Sequence, residues 1–160
     1  MDKTRESGEM LVDAWLKLSS AIWNTRIVSK MPFNETYVCN LLKRQLEISP
    51  DKKLTATDLC AATGLFKSQM NKILNSMEKD GYIRRVRSNQ DKRFVYIEIS
   101  DKGLELYDNG HEEIMLLVDR LVEKLGEDKT IETAETVQDI ADEFRRLTSD
   151  NGFKSERRNE

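Results

Sequence analysis

Between Lys67 and Arg93 the chain gathers side chains suited to holding a polyanion and to reading hydrogen-bond patterns. Lys67, Ser68, Gln69, Asn71, Lys72 and Asn75 fall on the polar side of one predicted helix, and Arg87, Lys92 and Arg93 surround a short polar loop. Asparagine and glutamine amides carry a donor beside an acceptor, which matches the exposed edge of adenine in a DNA major groove. Ser68, Gln69 and Asn71 are therefore expected at base edges. Lys67 and Lys72 are expected on phosphates, which position a protein without reading sequence. An arginine at a hairpin tip suits a narrow, strongly negative minor groove. Asp91 is out of place against phosphate, but an internal ion pair with Arg93 or Arg85 would hold the hairpin in shape.

These groups need a helix and a hairpin set close together, and the surrounding pattern supplies both. Met70, Ile73, Leu74 and Met77 form one apolar stripe, which predicts a helix over 67–79, and Gly81 stands at the usual C-terminal position. Thr55 and Asp58 have capping-box spacing for a short preceding helix that ends near Ala62, although Thr57 is also a possible cap. Gly64 sits in the turn between the two helices. Residues 82–87 and 93–99 alternate as strands around the polar loop 88–92. Upstream, Leu11, Trp15, Leu18 and Ile22 predict a helix from Glu9 to about Ser29. Asn34 is a plausible cap for a second helix over 35–48. Downstream, Ser100 caps a long helix with a seam through Leu104, Tyr107, His111, Ile114, Val118, Leu121 and Leu125, and a last helix is expected from Thr130.

Charge is unevenly distributed. The chain has a net charge of -3, yet residues 67–102 hold nine basic and five acidic residues, while residues 103–160 hold eight basic and sixteen acidic. Local sign decides where a polyanion approaches. The charged N-terminus has no apolar signal core, no run approaches a membrane span, and two cysteines are too few for a disulfide scaffold, so a cytoplasmic protein is expected. Paired catalytic carboxylates, a serine elbow, a phosphate loop and a metal cluster are all missing from the sequence. No enzyme, cofactor or metal is expected.

The fold class that follows is mainly α with a small β-hairpin wing (α+β). It is a winged helix-turn-helix at residues 35–100, flanked by dimerisation helices at 1–34 and 101–150 and followed by a polar tail at 151–160. Trp15, Trp23, Met31 and Phe33 are candidates for lining a ligand pocket, though such residues more often form core. Cys39, one turn before Lys43 and Arg44, is the candidate for thiol chemistry, and His111 reads as a packing or interface residue.

The run Leu59-Cys60-Ala61, Gly64-Leu65, Ser68, Met77-Glu78-Lys79-Asp80-Gly81-Tyr82-Ile83, Arg85, Asp91-Lys92-Arg93 and Ile99-Ser100-Asp101-Lys102-Gly103 resembles the MarR (multiple antibiotic resistance regulator) family of transcription factors. That resemblance implies a homodimer built by the terminal helices. It also implies a pseudo-palindromic operator in double-stranded DNA, usually held as a repressor, with relief by a small-molecule effector or by thiol oxidation. Two positions depart from the family pattern: Phe66 stands where a polar helix cap is usual, and Arg84 stands where an acidic or neutral residue is common. The alternative expectations are a winged-helix protein-interaction module that binds no DNA, and a regulator that senses thiol oxidation.

Overall fold

The computed structural model describes residues 2–24 and 31–149, with side chains over 2–22 and 31–148. The order is α1 (Lys3–Asn24), α2 (Phe33–Ile48), β1 (Leu54–Thr55), α3 (Ala56–Thr63), α4 (Lys67–Lys79), β2 (Ile83–Arg87), β3 (Val95–Ile99), α5 (Asp101–Leu125) and α6 (Glu127–Ser149). Two compact units result, residues 1–114 and 115–160, with the boundary falling inside α5. The mainly helical winged helix-turn-helix expected from the sequence is the fold observed.

In the first unit the core is built where the helix-turn-helix meets the sheet. Val38, Cys39 and Leu42 from α2, Leu59 from α3, Met70, Leu74 and Met77 from α4, Ile83 and Ile97 from the sheet, and Tyr107 from α5 are all buried. The α4 stripe fills this core as its periodicity requires, with Ile73 half-buried beside it. The sheet has three antiparallel strands in the order β1-β3-β2. β1 escapes the sequence pattern because it is two residues long and exists only by pairing, Leu54 with Ile97 and Thr55 with Tyr96.

Several boundaries differ from the sequence reading. α1 starts at Lys3 rather than Glu9, because the Asp2 carboxylate accepts the Thr4 N–H at 3.2 Å and caps the charged stretch. Its expected continuation to Ser29 and the side chain of Trp23 lie outside the described residues, as does the tail 151–160. α2 is capped by Pro32, not Asn34, and has no side-chain cap bond. Instead the Thr36 hydroxyl turns back to the Met31 and Pro32 carbonyls at 3.3 and 3.2 Å. Thr55, not Thr57, caps α3: its hydroxyl accepts the Asp58 N–H while Asp58 accepts the Thr55 N–H at 2.8 Å. α6 starts at Glu127 rather than Thr130, because Gly126 (φ 84°) makes the break alone.

In the second unit, Leu117, Leu121 and Leu125 of α5 and Ile131, Val137 and Leu147 of α6 are exposed. No helix among the described residues is long and apolar enough to cross a membrane. None of the described residues form a group of three or more side chains able to hold a metal ion.

Candidate nucleic-acid interface

α4 is a single amphipathic rod. Opposite its buried stripe, Lys67, Ser68, Gln69, Asn71, Lys72 and Asn75 are all exposed, so the predicted polar face exists as one surface. Its C-terminus closes by a Schellman motif: the Tyr82 N–H bonds to the Met77 carbonyl at 2.8 Å and the Gly81 N–H to Glu78 at 3.1 Å, with Gly81 at φ 78°. The N-terminus closes differently. Phe66 cannot cap by its ring, and the Gln69 Oε1 accepts the Phe66 N–H at 3.1 Å instead.

The chain leaving α4 is locked to the start of α5. The Ser100 hydroxyl donates to the Gly81 carbonyl at 2.6 Å and accepts the Gly103 N–H at 3.0 Å. Lys102 donates to the Asp80 carbonyl at 2.7 Å and lies over the Tyr82 ring. A β-carbon at Gly103 would sit 2.2 Å from the Tyr82 carbonyl oxygen, so only glycine fits. The Asp-Gly-Tyr and Ser-Asp-Lys-Gly segments are thus two halves of one joint that sets the angle of the wing.

The wing is braced from both ends. At its base Arg85 on β2 bonds to Glu78 and, at 2.9 Å, to the Asn75 Oδ1 on α4. At its tip the Ser88 hydroxyl accepts the Gln90 and Asp91 N–H groups, both at 3.2 Å. Asp91 there accepts the Arg93 N–H at 3.0 Å and grips its guanidinium at 2.7 Å. The Arg93 guanidinium holds the Asp91 carboxyl below the usual carboxylate range. Of the two partners open to Asp91 from sequence, the structure selects Arg93, and Arg85 serves the base of the wing instead.

These contacts redistribute the basic charge. Glu98 sits between Lys53, at 2.6 Å, and Arg84, at 2.9 Å, and its carboxyl is held low by Lys53 first and Arg84 second. Arg85 and Arg93 are therefore each paired with a carboxylate of their own, and Arg84 shares Glu98 with Lys53. Lys67 and Lys72 on α4 and Arg87 and Lys92 on the wing are exposed and in none of the ion pairs seen among the described residues. Sequence reasoning missed Glu78, Ser88 and Glu98. Ser88 was findable, because a serine three residues before Asp91 is a turn-forming spacing. Glu98 lies opposite Arg84 in the hairpin register, a pairing visible only once the register is known.

The remaining candidates separate cleanly. Met31 is a core residue, 2% exposed, in the buried cluster that also holds Val38, Cys39 and Leu42. Phe33 is exposed and borders an apolar groove of about 250 Å³ together with Thr36, Tyr37, Asn40, Tyr107, His111 and Ile114. Trp15 lies exposed on α1 and is not among the residues that line this groove. His111 stacks on Tyr107 with centroids 5.5 Å apart. Cys39 is fully buried, 3.7 Å from the Met31 sulfur, and burial together with Glu35 pushes its thiol up to about 12. A thiol kept protonated and out of solvent is a poor oxidant sensor, since the thiolate is the reactive form.

Fold and site together define a winged helix-turn-helix protein, with the polar face of α4 braced to a charged wing. Within that class, residues 44–93 match the model of the MarR family, in agreement with the resemblance carried by the motifs. Among curated relatives, the HTH-type transcriptional regulator FarR of Neisseria gonorrhoeae is 27% identical over 84 residues, covering 52% of this chain and 58% of FarR. The chain spans about half the length of the curated relatives it matches. Among solved structures, FabT of Streptococcus pneumoniae in complex with DNA is similar with a TM-score of 0.65 at 17% identity, covering 91% of this chain and 99% of FabT. The PcaV transcriptional regulator of Streptomyces coelicolor, in complex with its natural ligand, has a TM-score of 0.64 at 19% identity, covering 82% and 89%. At these identities the two likenesses establish the shared fold.

Proposed function

We propose that this chain is a sequence-specific, DNA-binding transcriptional regulator that acts as a cytoplasmic homodimer. The observation that carries the reading is the Arg85 brace, which fixes the polar face of α4 and the wing as one unit. α4 enters a major groove with Ser68 and Asn71 at base edges, Lys67 and Lys72 take phosphates, and the wing carries Arg87, Lys92 and Arg93 to the flanking minor groove. Gln69 and Asn75 have their amide oxygens engaged inside the protein, so their part in base reading is limited to the NH2 groups. The similar fold of FabT, solved with DNA, supports the mode of docking.

Dimerisation by residues 1–34 and 101–150 around a DNA-binding domain at 35–100 is supported by apolar side chains left in solvent. Leu11 and Leu18 on α1 are 49% and 58% exposed, and Leu121 on α5 is 56% exposed. A stable monomer rarely leaves so many large apolar groups uncovered. The apolar groove beside Phe33 is the site offered to a small effector, and repression relieved by that effector is the mode of action. An effector acts by binding one arrangement of the two DNA-reading lobes better than another. No catalysis enters this reading.

Selection from random duplexes tests it. Enrichment of an inverted repeat with half-site centres one helical turn apart, about 10–10.5 bp, is the expected result. A selection that enriches nothing over repeated rounds contradicts it.

A further inference from the structure

The start of α4 carries an aromatic ring that neither caps the helix nor packs in the core. Phe66 is 70% exposed. Its backbone is extended (φ -66°, ψ 148°); Leu65 beside it packs against the core, while Phe66 stays in solvent. The ring immediately precedes Lys67 and Ser68 on the exposed face. The local polar chemistry is already spent: the Phe66 N–H is taken by the Gln69 Oε1 at 3.1 Å, and the Phe66 carbonyl accepts the Met70 N–H at 3.0 Å.

An exposed ring at the leading end of a groove-binding helix has few partners there. Phosphates and base-edge donors are polar, whereas the thymine C5-methyl is an apolar group displayed in the major groove, and aromatic contact with it is a known form of base reading. Gln69 would have to release its cap to pair with adenine through both of its amide atoms, which leaves the leading turn biased toward apolar reading. Resting on the DNA-binding reading above, we infer that Phe66 is a specificity-determining residue that selects thymine in each half-site by covering its methyl group.

The test uses the full chain and the duplex enriched by selection. Each thymine is replaced singly by deoxyuridine, which removes only the methyl. Wild type is expected to lose about fourfold in affinity at one thymine per half-site, the scale of one buried methyl-sized group. Phe66→Ser, which supplies a good helix cap and keeps the fold, is expected to bind the thymine and uracil forms equally. Phe66→Leu, which keeps an apolar group, is expected to retain a thymine preference. Indifference of wild type to every replacement overturns the inference, as does an undiminished thymine preference in Phe66→Ser. Both failures occur on DNA that is still bound, so they are distinct from failure of the DNA-binding reading, in which no duplex is bound at all.

Discussion

Arg85 on β2 donates to the Asn75 Oδ1 on α4 at 2.9 Å, and the same guanidinium bonds to Glu78 one turn further on. One side chain thus fixes the hairpin against the helix. Arg85→Ala removes a brace and no proposed DNA contact. It is expected to reduce operator affinity by roughly 1–2 kcal/mol, because helix and wing would no longer be presented together, with a hydrogen-bond-sized loss in stability. Paired DNA titrations and urea unfolding check this. Unchanged affinity would mean that the brace serves folding alone.

Asp91 and Arg93 give a second contrast. Arg93→Ala removes the cation proposed for the minor groove and is expected to weaken operator binding with little change in fold. Asp91→Ala leaves the cation but frees it from its fork. It should lower affinity too, although it removes a negative charge near phosphate. If Asp91→Ala tightened binding, simple charge balance rather than a held geometry would govern the tip.

The joint below the wing makes a stability prediction. Gly103→Ala would place a β-carbon against the Tyr82 carbonyl oxygen, a backbone atom that cannot swing away. Overpacking of this kind costs about 1–3 kcal/mol, which thermal unfolding would show as a lowered Tm. A neutral result would indicate that α5 can shift relative to the sheet without penalty.

Glu35 is a buried acid at the start of α2, near Ser76 of α4 and Asp80 at its C-terminal cap. Burial raises its carboxyl above the ordinary 4.5, Asp80 adds to the rise, and the Ser76 hydrogen bond partly offsets it. A raised folded-state value means that the unfolded chain ionises first. The contribution of Glu35 to stability is then present below 4.5 and is lost as pH rises through the raised value. Glu35→Gln should therefore gain stability relative to wild type as pH increases from about 4 to about 8, measured as the difference between their unfolding free energies. A constant difference across that range would contradict the assignment.

α4 was legible because its four apolar residues report a 3.6-residue period directly, and both bounds of 67–79 match it. The Thr55–Asp58 cap was legible because both members are local. What escaped depends on partners distant in the chain. β1 exists through Ile97, Glu98 is shared between Lys53 and Arg84, and Arg85 reaches back to α4. The wing's basic residues read from sequence as one cluster of cations, but only Arg87 and Lys92 stand without an ion pair among the described residues. Of the four pocket candidates, Phe33 borders the groove and Met31 is core, a difference of burial that residue type and spacing do not encode.

The slope of log affinity against log salt for the selected duplex tests the central claim most directly, because it counts the phosphates neutralised by protein cations. Lys67→Ala and Lys72→Ala should each flatten the slope by about 1, the value of one phosphate left to its counterions, while Lys124→Ala at the end of α5 should leave it unchanged. Equal slopes in all three variants and wild type would contradict the account.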